Sequence, residues 1–195
     1  AGSNLTIITN AGAPGIIASD SLFAKGGKLS KLSGESVQAL KTALPSYCNI
    51  TNPLDILEDA TPDRFKTVMN ICLREPNADG FLIIYTPQGA TDPITAAKLV
   101  VDASKHTSKP ILTVLMGEDD CRKARRILSK NGIPAFTTPE LALSTFMYMY
   151  SYTQNLELLY QTPEELSVDL PVPIFLKETL RKAYNEGRKI LGQPE

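Results

Sequence analysis

The chain has 195 residues, of which 43% are hydrophobic and 21% are charged, and its formal net charge is −1. This is the usage of an ordinary globular domain with one core, and it excludes disordered and fibrous classes. The charge argues against a nucleic-acid-binding surface, which normally shows a basic excess. No apolar run reaches the roughly 18 residues of a membrane span, and the amino end does not read as a signal peptide. We therefore expect a cytoplasmic protein without membrane or nucleic-acid partners.

Strands and helices alternate from the start of the chain. The apolar run 5–9 predicts a strand that ends in the loop Asn10-Ala-Gly-Ala-Pro-Gly15 and leads into a helix as far as Gly26. A weak strand at 29–32 and a helix at 35–44 come next. This order is the first sign of an α/β fold.

The centre of the chain has better-defined elements. Thr61-Pro62-Asp63 opens a helix with an N-cap, a first-turn proline and an acid that suits the helix dipole. Residues 81–85 are apolar on both faces, as a strand of a covered parallel sheet must be. The alternation continues with a helix from Asp92, a strand at 111–115, a helix at 118–130, a strand at 133–137 and a helix from Thr138. We predict an α/β fold with an open parallel sheet of four to five strands covered by helices.

The carboxyl-terminal part has a different character. A proline-spaced stretch at 162–173 predicts a linker, and residues 174–191 predict an amphipathic helix. Its apolar face consists of Leu176, Leu180, Ala183 and Ile190. We expect one domain at 4–150 and a carboxyl-terminal linker with a helical connector at 151–195. The amino end, Ala1-Gly2-Ser3 without an initiator Met, is typical of a cloning remnant, so we expect an excised domain.

The loop Asn10-Ala-Gly-Ala-Pro-Gly15 lies where a parallel strand passes into a helix, the position at which open α/β sheets bind ligands. Its glycines permit close backbone approach, and the helix amino terminus presents N–H groups to an anion. A tight strand–helix turn would need the same glycines. The loop is neither GxGxxG nor GxxxxGK[ST], so it does not indicate a dinucleotide or P-loop nucleotide site.

A second strand-to-helix loop of the same type is Thr86-Pro-Gln-Gly-Ala-Thr-Asp-Pro93. Gly89 gives backbone access to an anion, and Asp92 is expected to be a helix cap rather than a catalyst. Because both loops follow strands of a parallel sheet, we expect them at the same edge.

The remaining chemistry-bearing side chains favour structural roles. His106 is the only histidine and lies at the polar end of a predicted helix, far in sequence from both loops. Cys48, Cys72 and Cys121 are few, odd in number and widely spaced, and no CxxC pair suggests zinc. We therefore predict no catalytic residue and no metal site in this chain.

Three loops in order carry a family resemblance. Ile7-Ile-Thr-Asn-Ala-Gly-Ala-Pro-Gly15, Asn52-Pro-Leu-Asp-Ile56 and Thr86-Pro-Gln-Gly-Ala-Thr-Asp-Pro93 resemble the flavodoxin-like ligase domain of NDP-forming acyl-CoA (acetyl-CoA) synthetases, in the succinyl-CoA synthetase-like superfamily. Lys109-Pro-Ile-Leu112 and Gly132-Ile-Pro134 continue the match. Each loop alone is weakly specific, whereas the combination over about residues 5–150 is specific.

The resemblance implies the function of the parent protein. Such enzymes interconvert acyl-CoA, ADP and phosphate with the free acid, CoA and ATP, and they pass the phosphoryl group through a histidine on a mobile loop. It implies that ATP/ADP, Mg and CoA serve the parent and that this chain itself holds no cofactor. It also implies a CoA-binding domain and an ATP-grasp domain as partners, in the same protein or in a partner subunit. The implied backbone contacts to the phosphohistidine are Asn10, Gly12, Ala13, Gly15, Gln88, Gly89 and Ala90.

The chain departs from the family pattern at two points. Ala13 replaces the second glycine of the usual Asn-Ala-Gly-Gly-Pro-Gly loop, and its methyl group would narrow a phosphate seat or require a negative φ. Lys105-His-Thr-Ser108 shares two letters with the family's Ser-His-Thr-Gly motif and lies elsewhere, so His106 does not receive the phosphohistidine role. The isolated chain is expected to be inactive.

Two other functions compete with the ligase domain. Bacterial protein lysine acetyltransferases carry a similar synthetase-like region that binds acyl-CoA and regulates the protein. The altered loop at Ala13 mildly favours that alternative. The third hypothesis, a free-standing flavodoxin-like binding domain, lacks cofactor-specific residues. The complete reading frame separates the three, by a Ser-His-Thr-Gly motif upstream or an acetyltransferase domain downstream.

Overall fold

The computed structural model describes residues 2–88, 90–161 and 173–188. Strands and helices alternate along it, as the sequence predicts. The strands are β1 (Asn4–Thr9), β2 (Lys28–Leu29), β3 (Leu54–Asp55), β4 (Gly80–Tyr85), β5 (Ile111–Leu115) and β6 (Ala135–Phe136). The helices are α1 (Gly12–Ala24), α2 (Gly34–Ala43), α3 (Pro62–Cys72), α4 (Pro93–Ser104), α5 (Glu118–Lys130), α6 (Pro139–Tyr160) and α7 (Ile174–Asn185).

The described strands form one parallel sheet. Its order is β2-β1-β4-β5-β6, with β3 also paired to β1, which makes six strands. The predicted α/β class with an open parallel sheet is confirmed, and the sheet has one strand more than predicted. The additional strand, β3, lies in the segment Asn52-Pro-Leu-Asp-Ile56, in which no strand was predicted. β2 pairs with the first residues of β1 and β3 pairs with its last ones, so both short strands lie along one edge of β1.

The side chain of Asn52 fills the gap between β2 and β3. Its Oδ1 accepts a hydrogen bond from the Ile7 N–H at 2.9 Å, and its Nδ2 donates to the Leu5 carbonyl at 2.8 Å. The same Nδ2 donates to the Ser30 carbonyl at 3.0 Å. The carboxamide thus takes the place of a backbone unit and keeps the polar groups of β1 paired, as buried backbone requires.

Helices cover both faces of the sheet. Because successive side chains of a strand point to opposite faces, β4 contributes to two cores. Phe81, Ile83 and Tyr85 of β4 join a core formed with α2, α3, α4 and α5. Leu82 and Ile84 join a second core formed with α1 and α6. All five side chains are at most 2% exposed, and burying a large apolar side chain stabilises a fold by about 1.5–3 kcal/mol. The uninterrupted apolar run of β4 is therefore a consequence of its two covered faces.

The carboxyl-terminal part contains two described helices. α6 is one helix of 22 residues, and it runs through the boundary expected at residue 150. Contacts divide the chain into the units Ala1–Leu156 and Glu157–Glu195. In the second unit α7 ends at Asn185, short of the predicted residue 191. Residues 162–172 of the predicted linker at 162–173, and residues 189–191 with Ile190, lie outside the described residues.

Neither α6 nor any other helix in the described part of the chain combines the length and the apolar character that crossing a membrane needs.

Candidate functional site

The two predicted loops meet at the carboxyl edge of the sheet. β1 and β4 are parallel neighbours, so the loops that follow them emerge side by side. The Asn10 side chain joins them, because its Nδ2 donates to the Thr86 carbonyl and its Oδ1 accepts from the Thr86 N–H, both at 2.8 Å. Asn10 is 3% exposed. This arrangement confirms the expected common edge, and it makes the side chain of Asn10 a structural tie.

A cavity of about 610 Å³ lies beside these loops. Of the sequence-predicted contacts, Asn10, Gly12, Ala13 and Gln88 line it. Gly15, which is buried, and Ala90 are not among its lining residues. Gly89 lies outside the described residues. The other lining residues are Ala11, Pro14, Tyr47, Asp55, Leu57, Glu58 and Asp59.

The amino terminus of α1 is the part of the cavity that suits an anion. An α-helix leaves its first four N–H groups without intrahelical partners. Here the N-cap residue Ala11 donates to Thr9 Oγ1 at 3.0 Å, and Pro14 has no N–H. Among the described residues no side chain caps this helix. The N–H groups of Gly12 and Ala13 are therefore left for a ligand, with the partial positive charge of the helix end behind them.

The small residues Gly12, Ala13 and Gly15 of this loop differ in what surrounds them. A side-chain carbon at Gly12 would lie 3.1 Å from Asp55 Oδ2, on the cavity side. One at Gly15 would lie 3.0 Å from Thr9 Cγ2 and 3.4 Å from Pro53 Cβ, so Gly15 permits close packing of α1. Ala13 lies in the first turn of α1 and is exposed, and its φ is not positive. An alanine in place of the family glycine requires a negative φ, and the backbone at this position meets that requirement.

The second loop is closed to anions at its helix. The Asp92 carboxylate caps α4, accepting hydrogen bonds from the Ile94 and Thr95 N–H groups at 3.0 Å each. Hydrogen bonds with Thr95, first with its side chain and then with its N–H group, are the main cause of the lowered pKa of Asp92. Pro93 has no N–H to offer, and the cap adds a negative charge. The anion-binding interpretation is thus carried by the α1 loop, and from the second loop Gln88 also lines the cavity.

One wall of the cavity is acidic, a feature that the sequence analysis did not predict. Asp55, Glu58 and Asp59 line it. Asp59 pairs with Arg64 at 2.6 Å, and this hydrogen bond lowers the pKa of the carboxyl. Leu57 has φ 70° and donates its N–H to Asp55 Oδ1 at 2.9 Å. Among the described residues it is the one non-glycine residue with positive φ, a strained conformation that is common at functional sites.

The remaining candidate groups do not line the cavity. His106 is exposed and follows the carboxyl end of α4, whereas the cavity lies beside helix amino ends. All three cysteines are buried, and burial raises the pKa of Cys72 to about 12. Within residues 2–88, 90–161 and 173–188, no group of three or more His, Cys, Asp or Glu side chains could hold a metal ion.

Comparison with known proteins assigns the family. The Ligase-CoA domain model matches residues 5–159, and the chain belongs to that family. The ADP-forming acetate–CoA ligase of Methanocaldococcus jannaschii is 38% identical over 155 residues, which cover 77% of this chain and 22% of that protein. The ADP-forming acetate–CoA ligase I of Archaeoglobus fulgidus is 31% identical over 192 residues, which cover 97% of this chain and 26% of the relative.

A solved structure agrees with these relatives. The dinucleotide-forming acetyl-coenzyme A synthetase 1 of Ca. Korarchaeum cryptofilum superposes with a TM-score of 0.75 at 30% identity, over 83% of this chain and 36% of that one. That enzyme has also been solved in complex with phosphate and ADP. The chain therefore spans about a quarter of the curated relatives and about a third of the solved one. The comparisons do not support the alternative of an acetyltransferase fusion.

Proposed function

We propose that this chain is a domain of an ADP-forming acyl-CoA ligase and that α1 holds a phosphoryl group carried by a histidine of another domain. The parent enzyme converts acyl-CoA, ADP and phosphate into the free acid, CoA and ATP, and the reverse. The observation that carries the proposal is the pair of uncapped N–H groups, Gly12 and Ala13, on the cavity beside α1. Its family and its ligase relatives support the first part of the proposal, a domain of such a ligase.

The contribution of this domain is electrostatic. Two backbone donors and the positive end of α1 meet the phosphoryl oxygens, and no side chain of the domain forms a bond to phosphorus. Preorganised donors of this kind stabilise charge that develops in a transition state, because they need no reorganisation. The small residues matter because a bulky side chain at Gly12 would stand between the donors and the oxygens.

The acidic wall favours a phosphohistidine over free phosphate. The carboxylates of Asp55 and Glu58 repel a phosphate ion that diffuses in alone. A histidine brings the phosphoryl group on one ring nitrogen and presents an N–H on the other, and carboxylates commonly accept that hydrogen bond. We therefore expect the isolated chain to bind inorganic phosphate weakly, although it receives the phosphoryl group in the complete enzyme.

The cofactors of the parent are assigned to its other domains. The loops match neither nucleotide motif, and the described part of the chain offers no three-ligand metal group. ATP/ADP and Mg therefore belong to an ATP-grasp domain and CoA to a CoA-binding domain. Calorimetric titration of the isolated chain should detect neither ATP nor CoA. Micromolar binding of either ligand would contradict this assignment.

Phosphohistidine formation in the complete enzyme tests the role of α1. We expect Gly12→Val to slow it at least tenfold, because its side chain blocks the approach to the backbone donors, and the loss of one preorganised donor typically costs about 100-fold or more. Gln88→Ala should keep most of the rate, because the contacts are backbone groups. Gly89→Val tests the second loop in the same assay.

The matched control is Gly34→Val. Gly34 is the first residue of α2, as Gly12 is of α1, and a side-chain carbon there meets nothing within 4 Å. Wild-type phosphorylation by a folded Gly12→Val enzyme would leave the α1 loop as an ordinary structural turn. If Gly12→Val and Gly34→Val slowed phosphohistidine formation equally, the cause would be a general helix defect instead.

A further inference from the structure

Two neighbouring helices expose large apolar side chains on the side away from the sheet. On α1 these are Ile16, Ile17 and Phe23, and on the part of α6 up to Leu156 they are Leu141, Tyr148, Met149 and Tyr152. Both helices also bury an apolar side, since Leu22 of α1 and Phe146 of α6 belong to one core. Each helix is thus apolar on two sides, which is typical of a helix covered on both. We call the seven exposed residues the α1–α6 face.

The spacing of these residues makes the face continuous along each helix. Leu141, Tyr148 and Tyr152 are seven and four residues apart, so they lie along one stripe of α6. Ile16 and Phe23, seven residues apart, do the same on α1. Tyr148 is 75% exposed and Ile16 is 63% exposed, so the stripe is open along its length. Tyrosine is also enriched at the centres of protein interfaces.

The charge distribution separates this face from an ordinary solvated surface. Residues 141–156 of α6 contain no charged side chain, and α1 contains one, Asp20. By contrast, α5 on the other side of the sheet carries eight charged residues among its 13. The same chain therefore solvates α5 with charges and leaves the exposed sides of α1 and α6 almost without them. A large exposed apolar patch on a domain marks an interaction surface.

We propose that another domain of the same ligase covers the α1–α6 face and forms one wall of the candidate cavity; this inference rests on the proposed function. The relatives supply the occupant, because the chain matches 26% of the Archaeoglobus protein and 22% of the Methanocaldococcus one. The position agrees, since the face begins at Ile16, one turn after the two free donors of α1. A domain that brings a phosphoryl group to Gly12 lies over this face.

The covering domain has a definable chemistry. Its contact surface is apolar and aromatic at the centre, with hydrogen-bond acceptors placed for the hydroxyls of Tyr148 and Tyr152. Charged residues belong to its rim, near Asp20. A specific interface of this kind buries about 800 Å² on each partner.

Thiol accessibility tests the proposal without relying on turnover. The native cysteines Cys48, Cys72 and Cys121 are all buried, so a maleimide is expected to react only with an introduced, exposed thiol. We expect a maleimide to modify Tyr148→Cys at least tenfold more slowly in the complete enzyme than in the 195-residue chain. Phe23→Cys should behave alike, as a second reporter on α1. The control Lys123→Cys, exposed on α5, should react equally in both proteins.

Two outcomes would overturn the inference. Equal modification of Tyr148→Cys in the two proteins would show that nothing covers the face. Protection that appears in the isolated chain and grows with its concentration would assign the face to a second copy. Failure of the proposed function would give a different result. Gly12→Val would then be phosphorylated normally, while Tyr148→Cys would still be protected in the complete enzyme.

Discussion

The tie between the two loops offers a sharp test, by the substitution Asn10→Asp. The wild-type carboxamide donates to the Thr86 carbonyl and accepts from the Thr86 N–H, both at 2.8 Å, in a nearly fully buried position. The substitution keeps the shape and the accepting oxygen. It replaces the donating NH₂ group with a second oxygen that faces the carbonyl.

The magnitude follows from these two contacts. A buried carbonyl that loses its donor costs about 1–3 kcal/mol. The second oxygen of the new carboxylate faces this carbonyl and has no hydrogen-bond donor either, so the pKa of the carboxyl group rises. Each unit of that rise adds about 1.4 kcal/mol to the loss of stability at neutral pH. We expect the free energy of unfolding to fall by about 2–4 kcal/mol at pH 7.

The pH dependence has a definite sign. The folded-state pKa of the new acid lies above its unfolded value of about 3.9, so the protonated form is favoured in the folded protein. Protonated, the group donates to the Thr86 carbonyl again. The loss of stability is therefore small below pH ~4, grows as the pH rises toward the folded pKa and is complete above it.

Urea unfolding at pH 7 and pH 4, each compared with the wild type, measures both effects. The control is Asn49→Asp, an exposed loop position that should change stability by less than about 0.5 kcal/mol at either pH. A loss below about 1 kcal/mol at pH 7, or an equal loss at both pH values, would refute the reasoning on Asn10.

Three further substitutions test other features of the molecule. Burial opposes ionisation of Glu75, but hydrogen bonds led by that from the Ser33 N–H at 2.9 Å outweigh it and lower its pKa. Glu75→Gln should therefore lose about 1–3 kcal/mol at pH 7 and less as the pH falls through the folded pKa, whereas a loss that grows on acidification would reverse the assignment. Asp92→Ala should lose about 1 kcal/mol by denaturant unfolding as the cap of α4 disappears, and an unchanged midpoint would contradict that role. His106→Ala should change stability by less than about 0.5 kcal/mol and leave a phosphoenzyme in the complete protein, whose loss would identify His106 as the essential histidine.

The sheet could be predicted from the sequence because the apolar composition of its central strands indicates that both of their faces are covered. Residues 81–85 are apolar at every position, which only a doubly covered strand requires. β3 escaped prediction for the opposite reason. Leu54–Asp55 is two residues long and shows no period, and its strand character depends on pairing with Ile8 and Thr9.

The site was predictable on one side only. Gly12 and Gln88 belong to strand–helix loops, whose location at the sheet edge follows from parallel topology. The wall from Asp55 to Asp59 has no such signal. Its approach to Gly12 spans more than 40 residues of chain and depends on the left-handed backbone of Leu57, a conformation that leucine rarely adopts. Side-chain periodicity carries no information about either condition.

The division of one edge of β1 between β2 and β3 bears on how the protein behaves at high concentration. Each outer strand of the described sheet, β2, β3 and β6, is two residues long. The stretch between β2 and β3 is occupied by the Asn52 carboxamide. Aggregation through strand addition needs a long row of vacant backbone groups, and a ladder broken every two residues gives an incoming chain no register to extend. We therefore expect concentrated samples to associate through helices rather than to grow β-rich fibrils.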